Sequence, residues 1–216
     1  MKDIAIYGAG GFGREVVCLI EAINKDTPTW NLIGFFDDNI IKGTIINDIP
    51  VLGSEEDICN WNKELYLVLA IGSPGIKKNI FTRISNPKIF YPTLIHPSAL
   101  LGNCKFIEIG KGCIICAGVI LTVNIKVGDF VIFNLDCTVG HDSVIGSYSS
   151  FMPTVNISGE VTIGDEVYIG TGAKIINQLS IGEKVIIGAG AVVAKSLPSC
   201  CTAVGIPAKP IKYHKV

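Results

Sequence analysis

Residues 139–163 read VGHDSVIGSYSSFMPTVNISGEVTI, with a bulky apolar residue at every sixth position: Val139, Ile145, Phe151, Ile157 and Ile163. The same period continues without an insertion from residue 109 to residue 193, and all fifteen of its slots are apolar. Such a period is typical of a parallel β-helix built from hexapeptide repeats. The sequence therefore predicts an all-β, three-sided prism in which residues 18 apart stack on successive coils.

Two further positions of the repeat are regular. The residue two before each slot is mostly small and should also point inward, because alternate residues of a strand share a face. Stacking every 18 residues should place Phe133 on Phe151, followed by Ile169 and Ile187. A glycine often follows the slot, and we expect it to supply the dihedral angles of each corner turn. These glycines are Gly110, Gly128, Gly140, Gly146, Gly164, Gly170, Gly182 and Gly188.

Composition excludes several classes of function. The 18 basic and 19 acidic residues leave a net charge of −1, so no nucleic-acid partner is expected. The longest uncharged run, residues 112–125, is shorter than the roughly 20 residues of a membrane span. The first residues enter a strand without the charged and apolar regions of a signal peptide. We expect a cytoplasmic protein with no membrane span.

Eight cysteines are scattered along the chain and do not form a disulfide framework. Cys113 and Cys116 have the spacing of half a zinc site, but no second pair completes four ligands. Cys116 and Cys137 have no base in register, so no cysteine nucleophile is expected. The sequence predicts no metal site.

The first third of the chain has the pattern of a nucleotide-binding fold. A buried strand at residues 3–7 is followed by the glycine-rich turn at 8–13 and by an amphipathic helix over 14–24. Glycines in this context let a backbone approach a pyrophosphate at a helix N-terminus. Strands at 32–36 and 65–71 end in Asp37 and Asp38 and in Gly72 and Ser73. Their carboxyl ends should face one crevice.

The sequence thus predicts a Rossmann-like α/β domain over residues 1–88 and a β-helix domain over 89–216, separated within a proline-containing segment. The alternative is a small α/β domain whose glycine turn only packs tightly and whose acids are solvated. The six-residue beat slips by two residues between Ile107 and Ile109, which predicts an irregular first coil. The tail after Val193 is a candidate cap for the open end of the prism.

His141 is the candidate chemical group of the prism. It lies two residues after the inward Val139, and so should face outward at a corner. Its equivalents one coil away are Val123 and Gly159, which leaves open space beside the imidazole. A neutral imidazole is a natural general base, and the adjacent Asp142 could hold its tautomer. A surface histidine beside an ordinary polar turn residue is the alternative.

The chain resembles a known family, the sugar-nucleotide acetyltransferases of the NeuD/PglD type, which join a nucleotide-binding α/β domain to a left-handed β-helix. The resemblance is carried by GAGGFGREV at 8–16, FDD at 36–38, AIGS at 70–73, HPSA at 96–99, VGHDSVIG at 139–146 and GIPAK at 205–209. The resemblance implies a left-handed helix, although parallel crossovers are normally right-handed. It also implies a homotrimer with active sites between adjacent prisms, and acetyl-CoA as co-substrate.

In this resemblance, His141 is the base, helped by Asp142, that deprotonates an amine on a nucleotide-linked sugar as it attacks the acetyl thioester. Backbone amides at prism corners would stabilise the oxyanion. The implied nucleotide-sugar residues are Gly10, Gly11, Phe12, Asp37, Asp38, Gly72 and Ser73. The implied acetyl-CoA residues are Ser150, Thr171 and Ala189. Many relatives carry a histidine or a similar polar residue where this chain has Phe12, and some carry a second histidine, for the coenzyme, where it has Ser150.

Three other functions fit parts of the pattern. An O-acetyltransferase acting on a sugar hydroxyl would use the same base. A trimeric scaffold that binds nucleotide sugars without turnover would need only the two folds. An NAD-dependent enzyme would use the glycine turn, but the chain lacks the Tyr-x-x-x-Lys set that commonly accompanies it.

Overall fold

The computed structural model describes residues 1–214, which divide into a first unit, Met1–Pro97, and a second unit that begins at Ser98. The division falls after residue 97, later than the expected boundary at 88, since Ile89–Phe90 is a strand of the first unit's sheet. Within residues 1–214 no helix is long and apolar enough to cross a membrane.

The first unit is an α/β domain built on a sheet of order β3-β4-β2-β1-β5-β6. All pairs are parallel except β3 with β4. The predicted strands and the predicted helix are present, and the helix starts earlier than expected. The elements are β1 (Lys2–Tyr7), α1 (Gly11–Asp26), β2 (Trp30–Phe36), β3 (Ile45–Ile46), β4 (Ile49–Gly53), α2 (Glu55–Cys59), β5 (Leu65–Leu69), α3 (Pro74–Arg83), β6 (Ile89–Phe90) and β7 (Leu94–Ile95).

The strand order sets where this unit can bind a ligand. From β1 the chain moves outward to β2 and β4, and then returns to place β5 on the other side of β1. The carboxyl end of β1 therefore lies at the switch point of the sheet, where open α/β sheets bind ligands. The glycine-rich turn follows this end of β1 directly.

The second unit is a stack of short strands in three sheets, one for each side of a prism, and the pairs are parallel except at the C-terminal hairpin. Its elements are β8 (Leu100–Leu101), a 3-10 turn (Cys104–Phe106), β9 (Ile107–Ile109), β10 (Ile114–Ile115), β11 (Ile120–Leu121), β12 (Ile125–Val127), β13 (Ile132–Phe133), β14 (Thr138–Val139), β15 (Val144–Ile145), β16 (Ser150–Phe151), β17 (Asn156–Ile157), β18 (Thr162–Ile163), β19 (Tyr168–Ile169), β20 (Lys174–Ile175), β21 (Ser180–Ile181), β22 (Ile186–Ile187), β23 (Val192–Val193), β24 (Cys201–Gly205) and β25 (Ala208–Tyr213).

The predicted 18-residue register is confirmed. Phe133 pairs with Phe151, Phe151 with Ile169, and Ile169 with Ile187. The two phenyl rings stack with their centroids 4.8 Å apart. Every slot residue from Ile115 to Val193 is at most 5% exposed. The period therefore builds the apolar interior, and the two-part fold is confirmed, while its left hand stays a prediction from the resemblance.

The corner turns are made differently from the prediction. The left-handed backbone occurs three residues after each slot, where φ is 54–73° at every sixth position from 112 to 190. Most of these positions are not glycine. The glycine directly after the slot is needed for close approach instead. A Cβ on Gly140 would lie 2.5 Å from the amide nitrogen of Gly159, and one on Gly170 would lie 2.6 Å from that of Ala189.

We expect Gly170→Ala to lower the free energy of unfolding by about 1–3 kcal/mol, because the new methyl group meets backbone that cannot rotate away. Urea denaturation followed by circular dichroism measures the change. Thr171→Ala, at the exposed neighbouring position, is the matched control and should leave the midpoint unchanged. Equal midpoints for Gly170→Ala and wild type would contradict the close-approach explanation.

The irregular first coil and the cap are also confirmed. Leu100 pairs with Ile120, a separation of 20, whereas Ile107 pairs with Ile125, a separation of 18. The 3-10 turn between β8 and β9 takes up the two extra residues. At the other end, β24 pairs in parallel with β22 and turns back into the antiparallel β25. The tail hairpin therefore covers the edge of one face.

Candidate active site

His141 and Asp142 lie together at the corner that follows β14. The Nδ1 atom of His141 is 2.8 Å from Oδ2 of Asp142. Their side chains are 55% and 50% exposed, so the pair is open to a ligand. The structure therefore brings together the two residues that the sequence proposed as a base and its partner.

The carboxylate determines which ring nitrogen is available. An ionised Asp142 can only accept, so we assign the proton of the neutral imidazole to Nδ1. The lone pair is then on Nε2, the nitrogen that faces away from Asp142. This is the tautomer that a general base at Nε2 requires.

Gly159, on the next coil, lies directly against the face of the imidazole. A Cβ atom at this position would lie 2.5 Å from Nε2 and 2.6 Å from Cε1 of His141. The amide of the next residue, Glu160, donates to the carbonyl oxygen of His141 at 2.7 Å. The space that the sequence left open beside His141 is thus occupied by the ring itself, and only glycine leaves room for it there.

Asn124, one coil below Asp142, was not singled out from the sequence. Its Nδ2 donates to Oδ1 of Asp142 at 2.8 Å. This hydrogen bond, together with the one from His141, lowers the pKa of Asp142. The signal in the sequence was the 18-residue offset between positions 124 and 142, which places the two side chains on one column.

In the first unit, Gly10 and Gly11 lie exposed at the start of α1, and Phe12 is half-buried. The first turn of α1 contains no acidic residue, so its amide groups and the positive end of its dipole are free of an internal carboxylate. Gly13 packs against the carbonyl group of Gly8 with no room for a Cβ. These features fit an anion at the helix N-terminus.

Asp37 and Asp38 border the same edge of the sheet, but their carboxylates already have donors. Asp37 accepts from the amide of Ala9 at 3.0 Å, which ties it to the glycine-rich turn. Asp38 accepts from the hydroxyl of Tyr7 at 2.6 Å and from the amide of Glu55 at 2.9 Å. Burial and the Asp38 carboxylate raise the pKa of Tyr7. Each carboxylate keeps lone pairs for a further donor.

A cavity of about 150 Å³ lies beside these acids. Its walls include Tyr7, Gly8, Asp37, Asp38 and Arg83. Gly72 and Ser73 follow β5 and precede α3, with Ser73 at the N-cap position. Because the amide of Ala70 donates to the carbonyl of Tyr7, the loop after β5 lies next to the loop after β1, as the sequence predicted.

The three residues expected to contact acetyl-CoA do not share one environment. Thr171 and Ala189 are exposed at the same corner of successive coils, and the amide of Gly190 donates to the carbonyl of Thr171 at 2.8 Å. Ser150 is fully buried, and so are Ile132 and Ile114, which occupy the equivalent positions on the two preceding coils. A buried hydroxyl offers no surface to a coenzyme, so we remove Ser150 from the expected set.

The cysteines of the described chain are not paired in disulfides. All eight are free thiols. Burial raises the pKa of Cys137 to about 12, so its thiolate is scarce near neutral pH. Between residues 1 and 214 no cluster of three potential metal ligands is found.

A prism of hexapeptide repeats with a carboxylate-bonded imidazole at one corner fits the acyltransferase class. Two family models agree with the two units. The PglD N-terminal domain matches residues 3–84, and the bacterial transferase hexapeptide model, with six repeats, matches residues 160–195.

Related proteins and solved structures cover between 81% and 98% of the chain. The GDP-perosamine N-acetyltransferase of Escherichia coli O157:H7 is 32% identical over 81% of this chain and 78% of its own length. The acetyltransferase domain of PglB from Neisseria gonorrhoeae, in complex with acetyl coenzyme A, is 32% identical, with a TM-score of 0.87 over 97% of this chain and 99% of that chain. PerB from Caulobacter crescentus, in complex with CoA and GDP-perosamine, is 27% identical, with a TM-score of 0.86 over 98% of each chain.

The chain belongs to the sugar-nucleotide acetyltransferases of the PglD type. The resemblance seen in the sequence and the acyltransferase class are thereby confirmed.

Proposed function

We propose that this enzyme transfers the acetyl group of acetyl-CoA to the amino group of a nucleotide-linked amino sugar, with His141 as the general base. The observation that carries the proposal is the 2.8 Å contact between Nδ1 of His141 and Asp142. It leaves Nε2 unprotonated at an exposed corner. One relative is named a GDP-perosamine N-acetyltransferase, and another is in complex with CoA and GDP-perosamine. Both support an amine as the acceptor.

The proposed step balances with groups that are present. The sugar nitrogen attacks the thioester carbonyl carbon and passes one proton to Nε2 of His141. The carbon–sulfur bond then breaks, and the departing CoA thiolate is protonated by the imidazolium. Asp142 stabilises the imidazolium in between, because an ionised carboxylate favours the charged ring. Backbone amides at the corner would stabilise the oxyanion.

The first unit would hold the nucleotide part of the acceptor. The exposed amides at Gly10 and Gly11 and the dipole of α1 suit its phosphate groups. Asp37 and Asp38, with lone pairs left on their carboxylates, would accept from ribose or base donors. Phe12, Gly72 and Ser73 border the same edge of the sheet and complete this proposed site.

Acetyl-CoA would lie along a prism past the exposed corner positions of Thr171 and Ala189. A single corner gives His141 little enclosure, because more than half of its side chain is exposed. We therefore propose the homotrimer that the family resemblance implies, in which a neighbouring prism supplies the other wall. Exposed apolar residues on the outer faces, among them Ile120, Val144 and Ile186, support such packing. The expected cytoplasmic location stays a prediction.

The experiment is a thiol-release assay with acetyl-CoA and a panel of nucleotide sugars. GDP- and UDP-linked 4-amino sugars should release CoA, and the matching 4-hydroxy sugars should not. The product should gain one acetyl group that resists hydroxide, because an amide is more stable to base than an ester. Turnover of the hydroxy sugars with a hydroxide-labile product would overturn N-acetylation in favour of O-acetylation.

A further inference from the structure

Four polar side chains form one column along the corner of His141. Asn124, Asp142, Glu160 and Gln178 occupy the same position of four successive coils, with φ between 55° and 62°. Their Cα atoms are therefore about 4.8 Å apart along the prism, which is the usual spacing between strands. We call these four residues the corner column.

In the corner column, each of the two end residues is hydrogen-bonded to the central residue next to it. Asn124 donates through Nδ2 to Oδ1 of Asp142 at 2.8 Å, and Gln178 donates through Nε2 to Oε2 of Glu160 at 3.2 Å. The two central residues are carboxylates on neighbouring coils, which repel each other. Each is instead bonded to the amide on its outer side.

The two halves of the corner column differ in one respect. Asp142 uses its second oxygen, Oδ2, to accept from His141. Glu160 contacts His141 only through its backbone amide. Asp142 is thus fixed at both oxygens, and a rotation of its carboxylate that breaks one bond also strains the other.

We propose that Asn124 is a positioning residue, which acts through Asp142 to keep the imidazole of His141 in the Nδ1-protonated tautomer. The proposal rests on His141 being the base of the proposed function. Without the amide, the half-exposed carboxylate rotates among several orientations and meets water. The ring is then no longer held, and part of the population carries its proton on Nε2. In those molecules Nε2 has no lone pair to accept a proton from the substrate.

The corner column offers well-matched variants. Asn124→Gly removes the amide without backbone strain, because Gly112, Gly118, Gly172 and Gly190 already occupy the equivalent position with φ of 67–73°. Asn124→Gln keeps an amide, and Gln178 shows that glutamine fits this backbone conformation with φ of 62°. Gln178→Gly removes the same kind of bond from Glu160, whose carboxylate has no bond to His141, and is the control.

Two measurements test the proposal on the full chain. The ¹⁵N chemical shifts of the His141 ring, assigned with His141→Asn, report its tautomer. We expect protonated Nδ1 in wild type, Asn124→Gln and Gln178→Gly, and a mixture in Asn124→Gly. We also expect kcat to fall on the order of 10-fold in Asn124→Gly, the value of one hydrogen bond. KM for both substrates should stay unchanged, and Asn124→Gln should recover most of the rate.

The outcomes separate the positioning role from the proposed function. A wild-type tautomer in Asn124→Gly overturns the positioning role, whatever the rate. An equal loss of tautomer in Gln178→Gly also overturns it, since the effect would then be a general one on the corner. A lost tautomer with an unchanged kcat supports the positioning by Asn124 and overturns His141 as the base.

Discussion

His141→Asn is expected to lower kcat by a factor on the order of 10²–10⁴, the usual contribution of a general base. Asparagine keeps a polar side chain of similar reach at the corner, but it cannot take a proton from the sugar amine near neutral pH. The loss should appear in kcat, because the imidazole accepts the proton in the transition state and does not contribute to binding of the ground state. Thiol release at saturating concentrations of both substrates measures it.

The control for this variant is ligand binding. Calorimetric titration with CoA should give the same affinity for wild type and His141→Asn, and thermal unfolding should give the same midpoint. The side chain is more than half exposed, so its replacement leaves the apolar interior intact. A variant that turns over as fast as wild type would rule out His141 as the base.

Gly159→Ala is expected to lower kcat by about 10²-fold, the cost of misplacing a reacting group by about 1 Å. The added methyl group would lie 2.5 Å from Nε2 of His141, so the ring must move off its position. The prism itself should tolerate the change, since Ala117 and Ala189 occupy the corresponding corner positions. Urea midpoints close to the wild-type value would show that the fold is kept.

A double-mutant cycle distinguishes a displaced imidazole from any other effect of the methyl group. In the His141→Asn background, Gly159→Ala should cost much less than in wild type, because the group that it displaces no longer takes the proton. Strong non-additivity is the signature of two residues that act on one step. Additive losses would show that Gly159 affects the reaction independently of His141.

The regular period is why so much of the prism could be predicted. A fixed 18-residue register is enough to place His141 outward beside Asp142, with Gly159 above it. The same register pointed to Asn124, but spacing alone does not reveal which side-chain atoms bond across coils. The role of the glycines was predicted wrongly, because a turn requirement and a close approach both select glycine.

The first unit was harder to predict in detail. Strand, turn and helix followed from local pattern, and the position of Asp37 and Asp38 followed from the end of β2. Their internal donors come from two separate segments of the chain, the end of β1 with the turn after it (Tyr7 and Ala9) and the start of α2 (Glu55). Such long-range hydrogen bonds leave no mark in a local pattern. The burial of Ser150 was not predicted either, because the repeat places it on the outward side of a strand.

The left-handed conformation of Asp142, with φ of 57°, links the architecture of the prism to its chemistry. Aspartate and asparagine are among the few residues besides glycine that enter this region readily. At position 142 an aspartate therefore suits the backbone as well as the imidazole, although other corners of the prism carry residues such as Phe130 and Lys184 in the same conformation. A histidine at the preceding position can then bond that carboxylate through Nδ1, as His141 does with Asp142, so an oriented imidazole needs no change in the course of the backbone.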